Sequence, residues 1–119
     1  MAGDKARLAS IGLGRWGAML VDAVNRSGAA EVVTCFARSE EGRKAFADKF
    51  DCRRSASYDE VLNDPEVEGV IIATPHLTHA DMICEAASAG KHVFVEKPLT
   101  LTVAEGKRSY EATQQAGVA

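Results

Sequence analysis

The chain has 119 residues, 46% of them hydrophobic, 26% charged and 6% aromatic, with a formal net charge of -3. This is the composition of one globular domain with one core, long enough to bury close to about two thirds of its unfolded surface without disulfides or a structural metal. The weakly acidic balance excludes a basic surface for phosphate backbones, and no window reaches the roughly twenty apolar residues of a membrane span, so neither nucleic acid nor membrane is an expected partner. Asp4, Lys5 and Arg7 precede a short apolar stretch that Arg15 interrupts. That stretch lacks a signal peptide's hydrophobic region, and the expected location is cytoplasmic. Cys35, Cys52 and Cys84 are odd in number, far apart and without a C-x-x-C. They read as packed thiols of a reducing compartment, with no disulfide or zinc expected.

Short β-rich runs alternate with longer helical patterns, which predicts a parallel sheet. The first strand is expected over Arg7 to Ile11, followed by Gly12-Leu13-Gly14 and a helix whose apolar face carries Trp16, Leu20 and Val24 and which stops at Gly28. Glu31 to Ala37 makes a second strand and Glu40 to Phe50 a second helix. The pattern then weakens to a short strand near Asp51 to Arg54, one helical turn over Tyr58 to Leu62 and a loop at Asp64-Pro65. Val67 to Thr74 is the strongest strand, apolar on both faces at Val70-Ile71-Ile72-Ala73, and is expected near the sheet centre. Thr78 can cap a helix running to Gly90; His92 to Glu96 forms the next strand and a last helix begins near Thr102. Gln115 to Ala119 reads as the approach to a sixth strand.

Gly12-Leu13-Gly14-Arg15-Trp16-Gly17 fits G-x-G-x-x-G in the context that motif requires, directly after a strand and opening a helix. Gly12 permits the tight turn, Gly14 the approach of a pyrophosphate and Gly17 close helix–strand packing, while the helix N-terminus offers free N–H groups. The bland alternative is a glycine-rich turn with no ligand. A site that prefers NAD usually carries an acidic residue at the end of the second strand. Here the positions are Ala37-Arg38-Ser39. Arg38 cannot accept a hydrogen bond from a ribose 2′-hydroxyl, but its donors suit a 2′-phosphate, with Ser39 beside it and Arg43 nearby, so the expected cofactor is NADP over NAD. The competing reading makes Arg38 a solvated strand end or a stacking partner of adenine. The glycines alone would also serve FAD or S-adenosylmethionine.

The later segments narrow the choice. Ala73-Thr74-Pro75-His76-Leu77-Thr78-His79, followed after one helix by Glu96-Lys97-Pro98, closely resembles the cofactor domain of the Gfo/Idh/MocA oxidoreductases over essentially the whole chain. The resemblance implies a doubly wound α/β (Rossmann) domain over residues 1–119, in three α/β/α layers with strand order 3-2-1-4-5, truncated at the sixth strand and before a substrate domain. It implies that Gly12, Gly14, Arg15, Trp16 and Gly17, with Arg38 and Ser39, hold the dinucleotide. Thr74, Pro75, His76 and His79 would border its nicotinamide half, and Glu96 would accept a hydrogen bond from the ribose. Lys97 would be the catalytic residue, binding the substrate hydroxyl and assisting its proton transfer, a task that suits a lysine whose pKa neighbours can lower. The implied activity is hydride transfer to or from a sugar, polyol or related alcohol.

His76 and His79 stand three apart but have no third ligand, so no metal is expected. Asp59, Glu60, Asp64, Glu66 and Glu68 read as a solvated acidic stretch, and His92 as a strand-start residue. His76 stands where the family often has Asn. An uncovered fifth strand carrying Val93 and Val95 would be an edge open to pairing, so homo-oligomers are expected unless the last residues cover it. A lone cofactor domain is expected to bind cofactor with little turnover, and the rival function is a non-catalytic nucleotide-binding module or redox sensor.

Overall fold

The computed structural model describes residues 5–74, 78–95 and 102–119. Five parallel strands form one sheet in the order β3-β2-β1-β4-β5. They are β1 (Ala6–Ile11), β2 (Ala30–Phe36), β3 (Arg53–Arg54), β4 (Gly69–Ile72) and β5 (His92–Val95). The helices are α1 (Arg15–Ser27), α2 (Glu40–Phe50), α3 (Tyr58–Leu62), α4 (His79–Ser88) and α5 (Val103–Ala116).

The alternation of β4 divides the core. Val70 and Ile72 face a cluster with Val61 of α3 and Ile83 and Ala86 of α4, while Ile71 faces one with Val21 of α1 and Phe46 and Ala47 of α2. The sheet is thus covered on both sides, which is why β4 reads as a continuous apolar run with all four residues buried. α5 packs on α4. On α1 Val21 is fully buried, and Leu20 and Val24 of the expected apolar face are half-buried.

Local signals set the helix ends. Ser39 Oγ accepts the Gly42 N–H at 3.1 Å and Ser57 Oγ accepts the Glu60 N–H at 3.0 Å, so α2 and α3 begin where their caps place them. α1 stops at Gly28 in the left-handed conformation, φ 75°. The expected cap of α4 is different: Thr78 gives no side-chain cap, and its hydroxyl instead pairs with that of Thr74 at 2.7 Å.

Two strands are shorter than the sequence suggests. β3 is two residues rather than Asp51 to Arg54, and β4 four rather than Val67 to Thr74, because a ladder extends only as far as its neighbour runs beside it. In the β1–β2 pairing, Leu8 faces Val32 but Ala9 faces Thr34, so Val33 is an extra residue, a β-bulge. At the other edge, the Val93 N–H donates to the Ala119 carbonyl at 2.9 Å and the Ala119 N–H to His92 Nδ1 at 3.0 Å. The expected open edge is therefore already partly covered by residue 119.

Asp59 and Glu60 of the acidic stretch are exposed, whereas Asp64, Glu66 and Glu68 are tied to arginines. Arg53 Nη2 lies 3.0 Å from both Asp64 and Glu66, and the Arg7 N–H donates to Glu68 at 2.8 Å. Asp64 also accepts the Glu66 N–H, and this bond, followed by Arg53, holds its carboxyl below the usual range. Lys91, nearly buried, donates to the Asp64 and Val67 carbonyls at 2.9 and 2.7 Å.

Candidate functional site

A cavity of about 680 Å³ opens at the carboxyl ends of the central strands. Ile11 to Gly14 enter it from β1, Phe36 to Arg38 from β2, Ala73 and Thr74 from β4, and Thr78 and Met82 from α4. The strand order reverses between β1 and β4, so the cavity sits at the topological switch point, where open α/β sheets bind ligands.

The three motif glycines have three different reasons to be there. Gly12 has φ +87°, and a Cβ on it would lie 2.6 Å from the Ala73 carbonyl oxygen; only glycine fits this turn. Gly17 is inside α1, and a Cβ there would lie 2.5 Å from the Gly12 carbonyl oxygen, so its lack of a side chain lets helix and turn touch. Gly14 has an ordinary extended backbone, φ -71° and ψ -170°, and no atom of the described residues comes within 4 Å of where its Cβ would be. Nothing in the fold requires glycine there. Gly14 is the N-cap of α1, which begins with Arg15 and Trp16, has no side-chain cap and carries no acid in its first turn. Among the described residues, the N-cap and first turn of α1 thus supply no anion to its first N–H groups or to the positive end of its dipole.

At the end of β2, Arg38 is exposed, lines the cavity and has no ion-pair partner among the described residues. Ser39 spends its hydroxyl on the α2 cap. Arg43 turns back on the strand: Nη1 donates to the Ala37 carbonyl at 2.6 Å and to the Arg38 carbonyl at 3.3 Å, and the guanidinium lies 5.6 Å from the centroid of the Phe36 ring. It clamps the turn that carries Arg38.

At the end of β4, Thr74 is the centre of a small network. Its hydroxyl contacts Thr78 Oγ1 at 2.7 Å and Met82 Sδ at 3.4 Å, and its carbonyl contacts His79 Nε2 at 3.1 Å. His79 is wholly buried and is not among the described residues that line the cavity; its ring meets the Thr74 carbonyl from behind the wall. Tyr58 donates to the Met82 carbonyl at 2.8 Å, and burial, with Glu85 adding to it, raises its phenol above the ordinary value.

Of the residues singled out from the sequence, Gly12, Gly14, Arg38 and Thr74 meet in the cavity, whereas Gly17, Ser39 and His79 shape its walls from behind. Pro75, His76, Glu96 and Lys97 lie outside the described residues. Sequence reasoning overlooked Leu13, Phe36, Ala37, Thr78 and Met82 as cavity residues and Arg43 as a clamp. The first three are findable as the carboxyl ends of β1 and β2, and Met82 as the residue one helical turn after Thr78. Arg43 had no signal beyond lying one turn into α2. Among the described residues no three of His, Cys, Asp and Glu gather as metal ligands, and no helix is long and apolar enough to cross a membrane.

Residues 6–119 match the family described as oxidoreductase family, NAD-binding Rossmann fold. A scyllo-inositol 2-dehydrogenase (NAD(+)) of Bacillus subtilis is 54% identical over 59 residues, covering 50% of this chain and 17% of that protein. A scyllo-inositol 2-dehydrogenase (NADP(+)) of the same organism is 31% identical over 119 residues, 97% of this chain and 32% of that protein. Among solved structures, the WlbA dehydrogenase from Bordetella pertussis, in complex with NADH and UDP-GlcNAcA, superposes with a TM-score of 0.92 at 30% identity, over 97% of this chain and 36% of that one. This chain thus spans from 17% to 36% of the length of these proteins. With a family match over residues 6–119, the chain belongs to the Gfo/Idh/MocA oxidoreductases, as their NAD(P)-binding Rossmann domain.

Proposed function

We propose that this domain holds NADP in preference to NAD, for an oxidoreductase that moves a hydride between the nicotinamide and a CH–OH carbon of a sugar or polyol. The observation that carries the reading is Gly14: an unfilled Cβ position above the uncapped N-terminus of α1, inside the cavity. A pyrophosphate fits that place, since free backbone N–H groups and a positive helix end supply its donors and a side chain would occupy its space. Arg38, exposed on the cavity wall without a carboxylate partner among the described residues, suits a 2′-phosphate. Arg43 holds the carbonyls of Ala37 and Arg38, keeping that turn in place. Thr74, backed by Thr78, Met82 and His79, supports the nicotinamide side.

The dinucleotide, when bound, supplies the hydride acceptor or donor. Gly12 and Gly14 would bring backbone against it while Gly17 lets α1 start close behind the turn, Arg38 and Ser39 would flank its adenosine end, Thr74, Pro75, His76 and His79 would border its nicotinamide half, and Glu96 would accept a hydrogen bond from its ribose. Lys97 would bind the substrate hydroxyl and assist its proton transfer. The substrate class rests on relatives named for inositols and nucleotide sugars.

Calorimetric titration with NADPH and NADH tests the reading. Saturation at a lower NADPH than NADH concentration is expected, with the order reversed in Arg38→Asp. Equal affinities would remove Arg38 from recognition, and no saturable heat with either nucleotide would overturn the reading.

A further inference from the structure

A pair of thiols lies on the far side of β2 from the Thr74 network. Cys35 is wholly buried near the end of β2, and Cys52 is half-buried just before β3. Both pack in the cluster under α1 and α2, with Phe46 and Phe50. The register pairs Thr34 with Arg53 and Cys35 with Arg54, so Cys35 is the diagonal neighbour of Cys52 across two parallel strands. Cys35 Sγ also donates to the Arg43 carbonyl at 3.7 Å. Cys52, unlike Cys35, lines a second, open cavity of about 440 Å³, together with Glu31, Asp51, Arg53 and Glu66.

The two thiols differ in the way a nucleophile and its partner should. The influence of each thiol on the other lowers Cys52 below the ordinary thiol range and raises Cys35 above it, burial adding to the rise. The half-buried thiol is therefore the readier of the two to ionise. Three carboxylates against one guanidinium at the opening disfavour an anionic reagent and leave a small neutral one.

We propose that Cys52 and Cys35 form an oxidisable thiol pair, Cys52 meeting a small neutral hydroperoxide through this opening and Cys35 resolving the product. In the first step Cys52 sulfur attacks one peroxide oxygen, the O–O bond breaks, and a sulfenic acid and water (or an alcohol) result. In the second, Cys35 sulfur attacks the Cys52 sulfur, its proton leaves with the hydroxyl as water, and an S–S bond forms. Both sulfurs are oxidised and the peroxide takes up the two electrons. Diagonal neighbours on a sheet stand roughly 7–8 Å apart at Cα, and a disulfide spans at most about 6.8 Å, so closure draws the strands together by about 1 Å. β3 can move that far, being two residues long and at the sheet edge. Cys84, half-buried on α4 with its Sγ directed to the Arg108 carbonyl at 3.9 Å, is an internal control.

The test treats the folded protein with stoichiometric hydrogen peroxide, then alkylates the free thiols and maps the peptides. The expected result is a fall from three alkylable thiols to one, Cys84. A Cys35–Cys52 linked peptide should appear, with a mass loss of about 2 Da that dithiothreitol reverses. Cys35→Ser should stop at a Cys52 sulfenic acid trapped by dimedone. Three thiols persisting in the treated native protein would overturn the proposal. So would oxidation of Cys52 without linkage to Cys35, or of Cys84 ahead of Cys52.

Discussion

Replacing Gly14 and Gly17 separately by alanine should split what a glycine does for a fold from what it does for a ligand. In Gly17→Ala the new Cβ would sit 2.5 Å from the Gly12 carbonyl oxygen, where ordinary contact begins at 3.4 Å. Helix and turn must separate by nearly an ångström, and both sides of the contact are backbone. Overpacking of that kind costs about 1–3 kcal/mol, towards the upper part when backbone must move, and alanine's better helix propensity returns about 1 kcal/mol. The net expectation is a loss of about 1–2 kcal/mol, together with weakened coenzyme binding because the N-terminus of α1 has shifted. Gly14→Ala meets no described atom and needs no unusual φ. Alanine is a poorer N-cap by a few tenths of a kcal/mol and stiffens the unfolded chain by a similar amount, so stability should stay within about 0.5 kcal/mol of the parent. Yet its methyl group enters the space assigned to pyrophosphate, and NADPH affinity should fall by about tenfold or more, which is about 1.4 kcal/mol. Urea denaturation followed by circular dichroism gives the stabilities and calorimetry the affinities. A Gly14→Ala protein that binds NADPH as tightly as the parent would refute the placement of the phosphates. A Gly17→Ala protein as stable as the parent would refute the contact argument.

Three further outcomes are expected. Arg43→Leu removes the clamp on the Ala37 and Arg38 carbonyls, costing about 1 kcal/mol in a urea melt and weakening NADPH binding beyond that loss; Arg43→Lys should restore only part of it, since an ammonium lacks the planar fork. Thr34→Val strands the buried Ser55 hydroxyl, now 2.7 Å from Thr34 Oγ1, and should cost about 1–3 kcal/mol, whereas Thr34→Val with Ser55→Ala should be nearer the parent, as a double-mutant cycle would show. Asp64 has a depressed folded pKa, so its ionised form favours the folded state; its contribution is present above the unfolded value of about 3.9 and is lost as pH falls through the lower folded value. Asp64→Asn should therefore be about 1 kcal/mol less stable than the parent at neutral pH, with the gap closing below about pH 4. A gap that persisted at pH 2 would show that the ion pair with Arg53 is not its source.

What could be read from the sequence follows the range of the forces involved. α2 and α3 begin and end where read, because Ser39 and Ser57 cap them through bonds three residues long. The five strands and the glycine turn were equally legible, since periodicity and the motif are local patterns, whereas the strand order came with the family resemblance. Strand lengths were not: β3 and β4 depend on partners distant in sequence. Thr78 was read as a cap because its position invites one, but the hydroxyl of Thr74 competes for it. His79 was read as a site residue, yet Thr74's carbonyl draws its ring into the interior. The cysteines looked unrelated at a spacing of seventeen residues, and only the β2–β3 register sets two of them side by side.

The extra residue at Val33 lets β2 answer to two clients. Before it, Val32 is in phase with Leu8 and packs beneath α1 and α2; after it, Ile11 and Phe36 are in phase on the opposite face, towards α4. The same residues paired without the skip would carry Cys35 where Phe36 now stands opposite Ile11, and every later side chain would change faces. Inserting one residue after the bulge, a change nearly invisible in composition, would likewise turn the far end of β2 inside out while leaving its beginning packed as before. The bulge is a phase adjuster: it allows the first half of the strand to be chosen for the core and the second half for what the strand presents at its tip.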